Sequence, residues 1–456
     1  MKRKITILII CFLITSLFSA NVTSLINSSS QQFNSNDEYD MVIISPEIFS
    51  SSITPLIVHK NSIGINTFLK STDEIYSEYD GRDKSEQIKY FIKDAIETYN
   101  IKYVLLMGGK SFLGLKWNLP ARYVQLNDGF GYSEFLSDLY YADIYKDNGE
   151  FENWDSNKNG IFAEWGFSGD NLDLKPDIAV GRLPCRNINE VKTIVDKIIN
   201  YEKNAYGKSW FKNMVVVGGD TFPTVEGYEG ESTCDIASNY MDGFEITKLY
   251  TSTGALSSPD EIINSINQGC GFLLTRGRGG TDRVRMVMPN GSEFIALNLD
   301  SISDLNNKDM YPICVLGECI HGKFDVGIIN VIKLLQNDPN YSINDCILEC
   351  IAWRLMRNKN AGGIATFTNT NICYGAMGDT NNNGVNDDAE MYGGFLAVEL
   401  FRLYSQEGIG SLGTLHKNAI TNYIDIFPVN TNKIHCKSVQ EFILFGDPSL
   451  KIGGYE

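Results

Sequence analysis

Two stretches decide the fold: Cys270-Gly-Phe-Leu-Leu-Thr-Arg-Gly-Arg-Gly-Gly280, and Pro312-Ile-Cys-Val-Leu-Gly-Glu-Cys-Ile-His-Gly-Lys-Phe-Asp325. Each opens with a short apolar run bounded by turn residues and rich in strand formers, which predicts a buried strand. Each then breaks into a chemically dense turn. The first turn carries Arg276, Arg278, Arg283 and Arg285, and the second carries Glu318, Cys319, His321 and Lys323. In open α/β sheets the site lies beyond the carboxyl ends of the strands. A thiol at one strand end facing a polar turn at another is therefore a candidate active site.

Outward from this pair, strand and helix signals alternate. Tyr39–Ser45, Tyr103–Met107, Pro176–Pro184, Val215–Asp220 and Ala361–Phe367 read as strands, and Pro55–Lys60 and Ile63–Phe68 as further apolar segments between turns. Helices are predicted over 83–100, 187–203, 259–267, 344–358 and from Glu390 to about 405. The first carries Asp83 with Glu86 as a capping box and an apolar stripe from Ile88 to Tyr99. This alternation predicts an α/β fold with parallel sheet. Gly108-Gly-Lys-Ser111 follows a strand, but Val104 stands where a phosphate loop needs its first glycine, which excludes that reading.

The chain has 456 residues and a net charge of −17 spread along its length. That excludes a nucleic-acid binder, which needs a basic face. Met1-Lys-Arg-Lys4 followed by apolar Ile5 to Ala20 reads as a secretory signal too short for a comfortable membrane span. Residues 21–37 read as a disordered lead-in with sequons at Asn21 and Asn27. The protein is thus expected to be secreted or on the outer cell surface, with no membrane contact beyond the signal. Ten cysteines are present, and nine remain once Cys11 leaves with the signal. Most are expected to be small buried hydrophobes, with Cys346 and Cys350 on one helix face.

Two loops have calcium-ligand spacing. Asp379, Asn381, Asn383, the Val385 carbonyl, Asp387 and Glu390 occupy ligand positions of a twelve-residue calcium loop, with Gly384 at its sharp turn. Asp155, Asn157, Asn159 and Glu164 repeat the pattern with the closing acid two positions early. Calcium is the expected cofactor.

The Gly-Phe-Leu-Leu-Thr-Arg-Gly-Arg-Gly-Gly run, Gly317-Glu-Cys-Ile-His-Gly-Lys-Phe324, Pro176–Pro184 and the closing Gly446-Asp-Pro-Ser-Leu450 resemble the catalytic domain of gingipain-type cysteine peptidases. The resemblance covers about 39–452. It implies a caspase-like α/β fold with an N-terminal subdomain (38–207) and a C-terminal catalytic subdomain (208–456). It places the nucleophile at Cys319 and puts Arg278 at the position of the family's histidine base. It also implies endopeptidase activity on a peptide or protein substrate. A cysteine peptidase further needs an oxyanion hole and a proton donor for the leaving amine. Gly317, Gly277 and Gly279 are the turn residues expected to border the oxyanion. His321, two residues from Cys319, would share a face with it on an extended backbone and is the nearest candidate base; alternatively it hydrogen-bonds the turn. A catalytically lapsed, calcium-stabilised homologue that binds peptides is the second reading.

Overall fold

The computed structural model describes residues 38–111, 114–130, 132–336, 342 and 345–456; the predicted signal and lead-in lie outside them. The strands are β1 (Met41–Ser45), β2 (Thr67–Ser71), β3 (Tyr103–Met107), β4 (Arg122–Gln125), β5 (Glu134–Ser137), β6 (Ala179–Leu183), β7 (Asn213–Gly218), β8 (Glu245–Tyr250), β9 (Phe272–Arg276), β10 (Arg278–Gly280), β11 (Arg283–Val287), β12 (Glu293–Asn298), β13 (Ile313–Leu316), β14 (Ala365–Asn369) and β15 (Phe442–Phe445). Ten of them form one sheet in the order β2-β1-β3-β6-β15-β14-β13-β9-β7-β8.

Every pairing in that sheet is parallel except β14 with β15. The sheet is thus two five-stranded parallel halves that run in opposite directions and meet at β14/β15. The C-terminal strand β15 completes the N-terminal half by lying beside β6. One sheet edge consequently carries the carboxyl ends of β7, β9, β13 and β14 together with the start of β15, where Asn369 pairs with Phe442.

Helices flank the sheet. Local chemistry fixes several of their ends. Asp83 caps the helix Lys84–Tyr99 by accepting from the Glu86 N–H, and Asn100 closes it in the left-handed region at φ +56°. Glu86 does not complete a capping box; it turns back to the Arg82 N–H and guanidinium. Ser258 and Glu261 do form a complete box on Pro259–Asn267. Burial of strands such as β13, at most 2% exposed at Ile313, Val315 and Leu316, supplies about 1.5–3 kcal/mol per large apolar side chain.

Two local expectations are corrected. The Pro55–Lys60 segment lies inside a helix, Ser50–Ser62, with Pro55 in its interior. The helix predicted over 344–358 begins only at Ile351, with Cys350 as its N-cap, so Cys346 and Cys350 do not share a helix face.

Candidate active site

β13 ends at Leu316, and Cys319 follows it in an irregular turn. The Cys319 thiol is half-buried and reaches the Cys373 carbonyl at 3.3 Å. Cys373 lies four residues beyond β14, and its own thiol reaches the Gly317 carbonyl at 3.6 Å. Each thiol thus donates to a carbonyl on the other's turn. The Cys373 thiol and backbone beside it, aided by the nearby Lys437 ammonium, hold the Cys319 thiol below its usual pKa, and Cys373 is pushed up in turn. No sequence signal around Cys319 selects Cys373, because the contact spans 54 residues.

Lys437 is fully buried beneath this pair. It forms an ion pair with Asp128, donates to the Ile372 carbonyl at 2.6 Å, and lies 3.8 Å from the Glu441 carboxylate. Glu441 is itself completely buried, and burial raises its pKa well above the usual carboxylate range. Tyr374, next to Cys373, stacks its ring near the Lys437 ammonium at 5.2 Å.

Arg278 stands on β10, close to Cys319 in backbone but not in side chain. A methyl group on neighbouring Gly279 would come within 2.2 Å of the Cys319 carbonyl oxygen and 2.7 Å of its nitrogen. The Arg278 guanidinium instead donates to the Thr221 carbonyl at 3.2 Å and pairs with Glu293 at 2.6 Å, 39% exposed. The other arginines are also paired: Arg285 with Glu293, Arg283 with Asp282, and buried Arg276 with Asp388 at 2.5 Å. Among the acids of these two turns, Asp282 is the one that pairs with the cluster. Glu318 accepts instead from Thr275 Oγ1 at 2.8 Å, and Asp325 pairs with Lys323.

His321 is completely buried, and its Nε2 bonds the Arg283 carbonyl at 3.0 Å. Burial lowers its pKa to about 4. The extended backbone expected between Cys319 and His321 is not present: Ile320 sits at φ +51°, a left-handed conformation rare for a β-branched residue, so the two side chains do not share a face. The other three histidines are engaged elsewhere. His59 pairs with Glu202, His435 with the Tyr423 hydroxyl, and His416 packs against Phe367 and Phe442.

Of the turn glycines, Gly317 donates its N–H to the Thr275 carbonyl at 3.2 Å, continuing the β13–β9 ladder. The Gly277 N–H is directed to the Glu318 carboxyl group. Gly279 is the glycine that touches Cys319.

The two calcium-type loops share one geometry. In the later loop the Asp379 carboxylate accepts the N–H groups of Asn383 and Gly384, and Asn381 and Asn383 converge on Glu390 at 3.0 and 2.8 Å. Asp387 turns away to hold Thr380. In the earlier loop Asp155 accepts from Asn159 and Gly160, and Asn157 and Asn159 reach Glu164. Gly160 and Gly384 adopt φ +82° and +84°, which explains a glycine at each turn. Among the described residues no group of three or more His, Cys, Asp or Glu side chains is arranged to hold a metal; the loops rely on Asn and backbone oxygens as well.

The model of peptidase family C25 matches residues 34–453. An uncharacterized protein of Archaeoglobus fulgidus is 21% identical over 72% of this chain and 74% of its own length. Gingipain R2 of Porphyromonas gingivalis is 21% identical over 72% of this chain, which spans only 36% of that protein. The crystal structure of the Arg-specific cysteine proteinase gingipain R superposes with a TM-score of 0.63 at 18% identity, covering 92% of this chain and 79% of that one. A complex of Porphyromonas gingivalis RgpB pro- and mature domains gives 0.61 at 19% identity, over 91% of this chain and 79% of that chain. The shared fold is caspase-like α/β, and the family match spans nearly all the described residues. The chain therefore belongs to peptidase family C25, the gingipain-type cysteine peptidases.

Proposed function

We propose that this protein is a secreted cysteine endopeptidase with Cys319 as its nucleophile, acting on peptide or protein substrates. The observation that carries this reading is a half-buried thiol at the carboxyl end of a central strand, held low in pKa by a neighbouring S–H and a buried ammonium. The thiolate attacks the scissile carbonyl carbon. The Cys319 N–H takes no acceptor among the described residues and is the natural oxyanion donor. The Arg278 guanidinium is engaged by Glu293 and the Thr221 carbonyl, and a guanidinium does not hand a proton to a leaving amine. Absence of a positioned general acid lowers turnover by on the order of 10²–10⁴. Slow acylation by amide substrates is therefore expected, while alkylation by a thiol-directed probe, which expels no amine, is retained. Export is supported by the sequence of residues 1–20, and no helix among the described residues is long and apolar enough to cross a membrane.

Calcium is proposed to bind the later loop through the oxygens of Asp379, Asn381, Asn383, Glu390 and the Val385 carbonyl, a set of hard ligands whose two Asn side chains already meet Glu390 through their amide N–H groups. The earlier loop is the weaker site, because the Arg82 guanidinium already occupies the Asp155 carboxylate. In both, calcium would supply structural stability rather than chemistry.

One observation favours a second reading: the engagement of all four histidines away from Cys319 suits a lapsed homologue that binds peptides without cleaving them. A thiol-directed peptidyl probe, applied with calcium, separates the two. Labelling of the wild type that disappears in Cys319→Ala supports the peptidase. Peptide binding without labelling supports the lapsed form.

A further inference from the structure

Parallel pairing of β13 with β14 sets the turns beyond them side by side, with Ile320 N–H on the Asn371 carbonyl at 2.9 Å. This places two thiols at one sheet edge. Each reaches a carbonyl on the other's turn, Cys319 to Cys373 at 3.3 Å and Cys373 to Gly317 at 3.6 Å. We propose that Cys319 and Cys373 are a redox pair that closes reversibly into a disulfide, using a low-molecular-weight disulfide such as oxidised glutathione as oxidant.

Accessibility separates this pair from the six buried sulfurs, and position separates it from half-buried Cys346, whose thiol donates to the Ser342 carbonyl at 3.7 Å. Cys185, Cys234, Cys270, Cys314, Cys350 and Cys436 are buried, whereas Cys319 and Cys373 are both half-buried. Cys270, just before β9, and Cys314, on β13, interact as well, but both are completely buried, and burial pushes both thiols up, Cys314 to about 12. Those two fail both requirements of exchange, a thiolate and an open approach.

The chemistry balances as follows. The Cys319 thiolate attacks one sulfur of oxidised glutathione, forming a mixed disulfide and releasing one glutathione thiolate. Cys373 gives up its proton, and its sulfur attacks the Cys319 sulfur, expelling the second glutathione thiolate. The two protein thiols lose two electrons and two protons, and the oxidant becomes two molecules of reduced glutathione. In the reduced state the Cys319 thiol donates to the Cys373 carbonyl and the Cys373 thiol to the Gly317 carbonyl. In the oxidised state the Cys319 sulfur is blocked. That last consequence rests on the reading of Cys319 as the nucleophile; formation of the bond does not.

The test equilibrates purified full-length protein with oxidised glutathione and then blocks free thiols by alkylation. Wild type should lose the mass of two hydrogens, and peptide mapping should join the Cys319 peptide to the Cys373 peptide. Cys373→Ser should instead retain glutathione on Cys319. Dithiothreitol should reverse both. Peptidyl-probe labelling of oxidised wild type should fall about tenfold or more and return on reduction. In wild type, a stable glutathione adduct on Cys319, or free alkylation of both thiols after oxidation, overturns the inference without touching the peptidase reading. A joined peptide in a protein whose reduced form never labels supports the redox pair and removes the peptidase.

Discussion

Gly279→Ala tests the contact on which the site is built. The added methyl would lie 2.2 Å from the Cys319 carbonyl oxygen and 2.7 Å from the Cys319 nitrogen, both backbone atoms. An ordinary C···O contact is about 3.3 Å, so the β10 turn or the Cys319 peptide must move by about 1 Å. Overpacking of this kind destabilises by about 1–3 kcal/mol. A displacement of about 1 Å at a reacting group lowers its rate by on the order of 10². Gly280→Ala is the matched control. Its nearest neighbour is the flexible Arg283 Cγ at 3.3 Å, so its effect should stay within about 0.5 kcal/mol with unchanged labelling. Urea unfolding at constant m-value gives the stability term, and the second-order rate of peptidyl-probe labelling gives the other. If the two alanine variants prove indistinguishable by both measures, the β10 turn does not abut the nucleophile and the site has been assembled wrongly.

Other outcomes follow from the same geometry. Lys437→Met leaves Asp128 and Glu441 buried without their cation and should destabilise by about 3–5 kcal/mol in denaturant unfolding, with partial recovery in the Lys437→Met/Asp128→Asn double variant; an unchanged single variant contradicts the buried pair. Burial raises the Glu318 carboxyl from 4.5 to about 7. Its protonated form is therefore favoured in the fold, and its stabilising contribution is complete below about pH 4.5 and lost as pH rises through about 7. Glu318→Gln should remove that pH dependence, gaining up to about 3 kcal/mol on wild type between pH 5 and pH 8, and equal pH slopes for the two proteins would count against it. Calcium at one hundred times its dissociation constant should stabilise the protein by about 2.7 kcal/mol, and Glu390→Gln should abolish most of the shift; a chelator without effect on melting removes calcium from the later loop. Cys373→Ala should raise the pH midpoint of Cys319 alkylation, because the neighbouring thiol that favours the thiolate is gone; an unmoved midpoint would place the two thiols out of contact.

Sequence alone determined what is locally written. The apolar runs of β3, β9 and β13, the cap at Asp83, and the ligand spacing of the two Asn-rich loops depend on neighbours a few residues apart. The motif around Cys319 belongs to the same class, which is why the family could be read from it. Tertiary structure alone decided the rest, because it depends on residues brought together across long stretches of chain. It inserted β15 antiparallel to β14 and so joined the two half-sheets. It turned His321 inward through one left-handed residue, Ile320, where alternation along a strand had set it beside the thiol. It delivered Cys373 and Lys437 to Cys319 from two later segments. A short-range pattern records which face a residue prefers, but the charge and hydrogen bonds around a sulfur come from whichever strands end beside it.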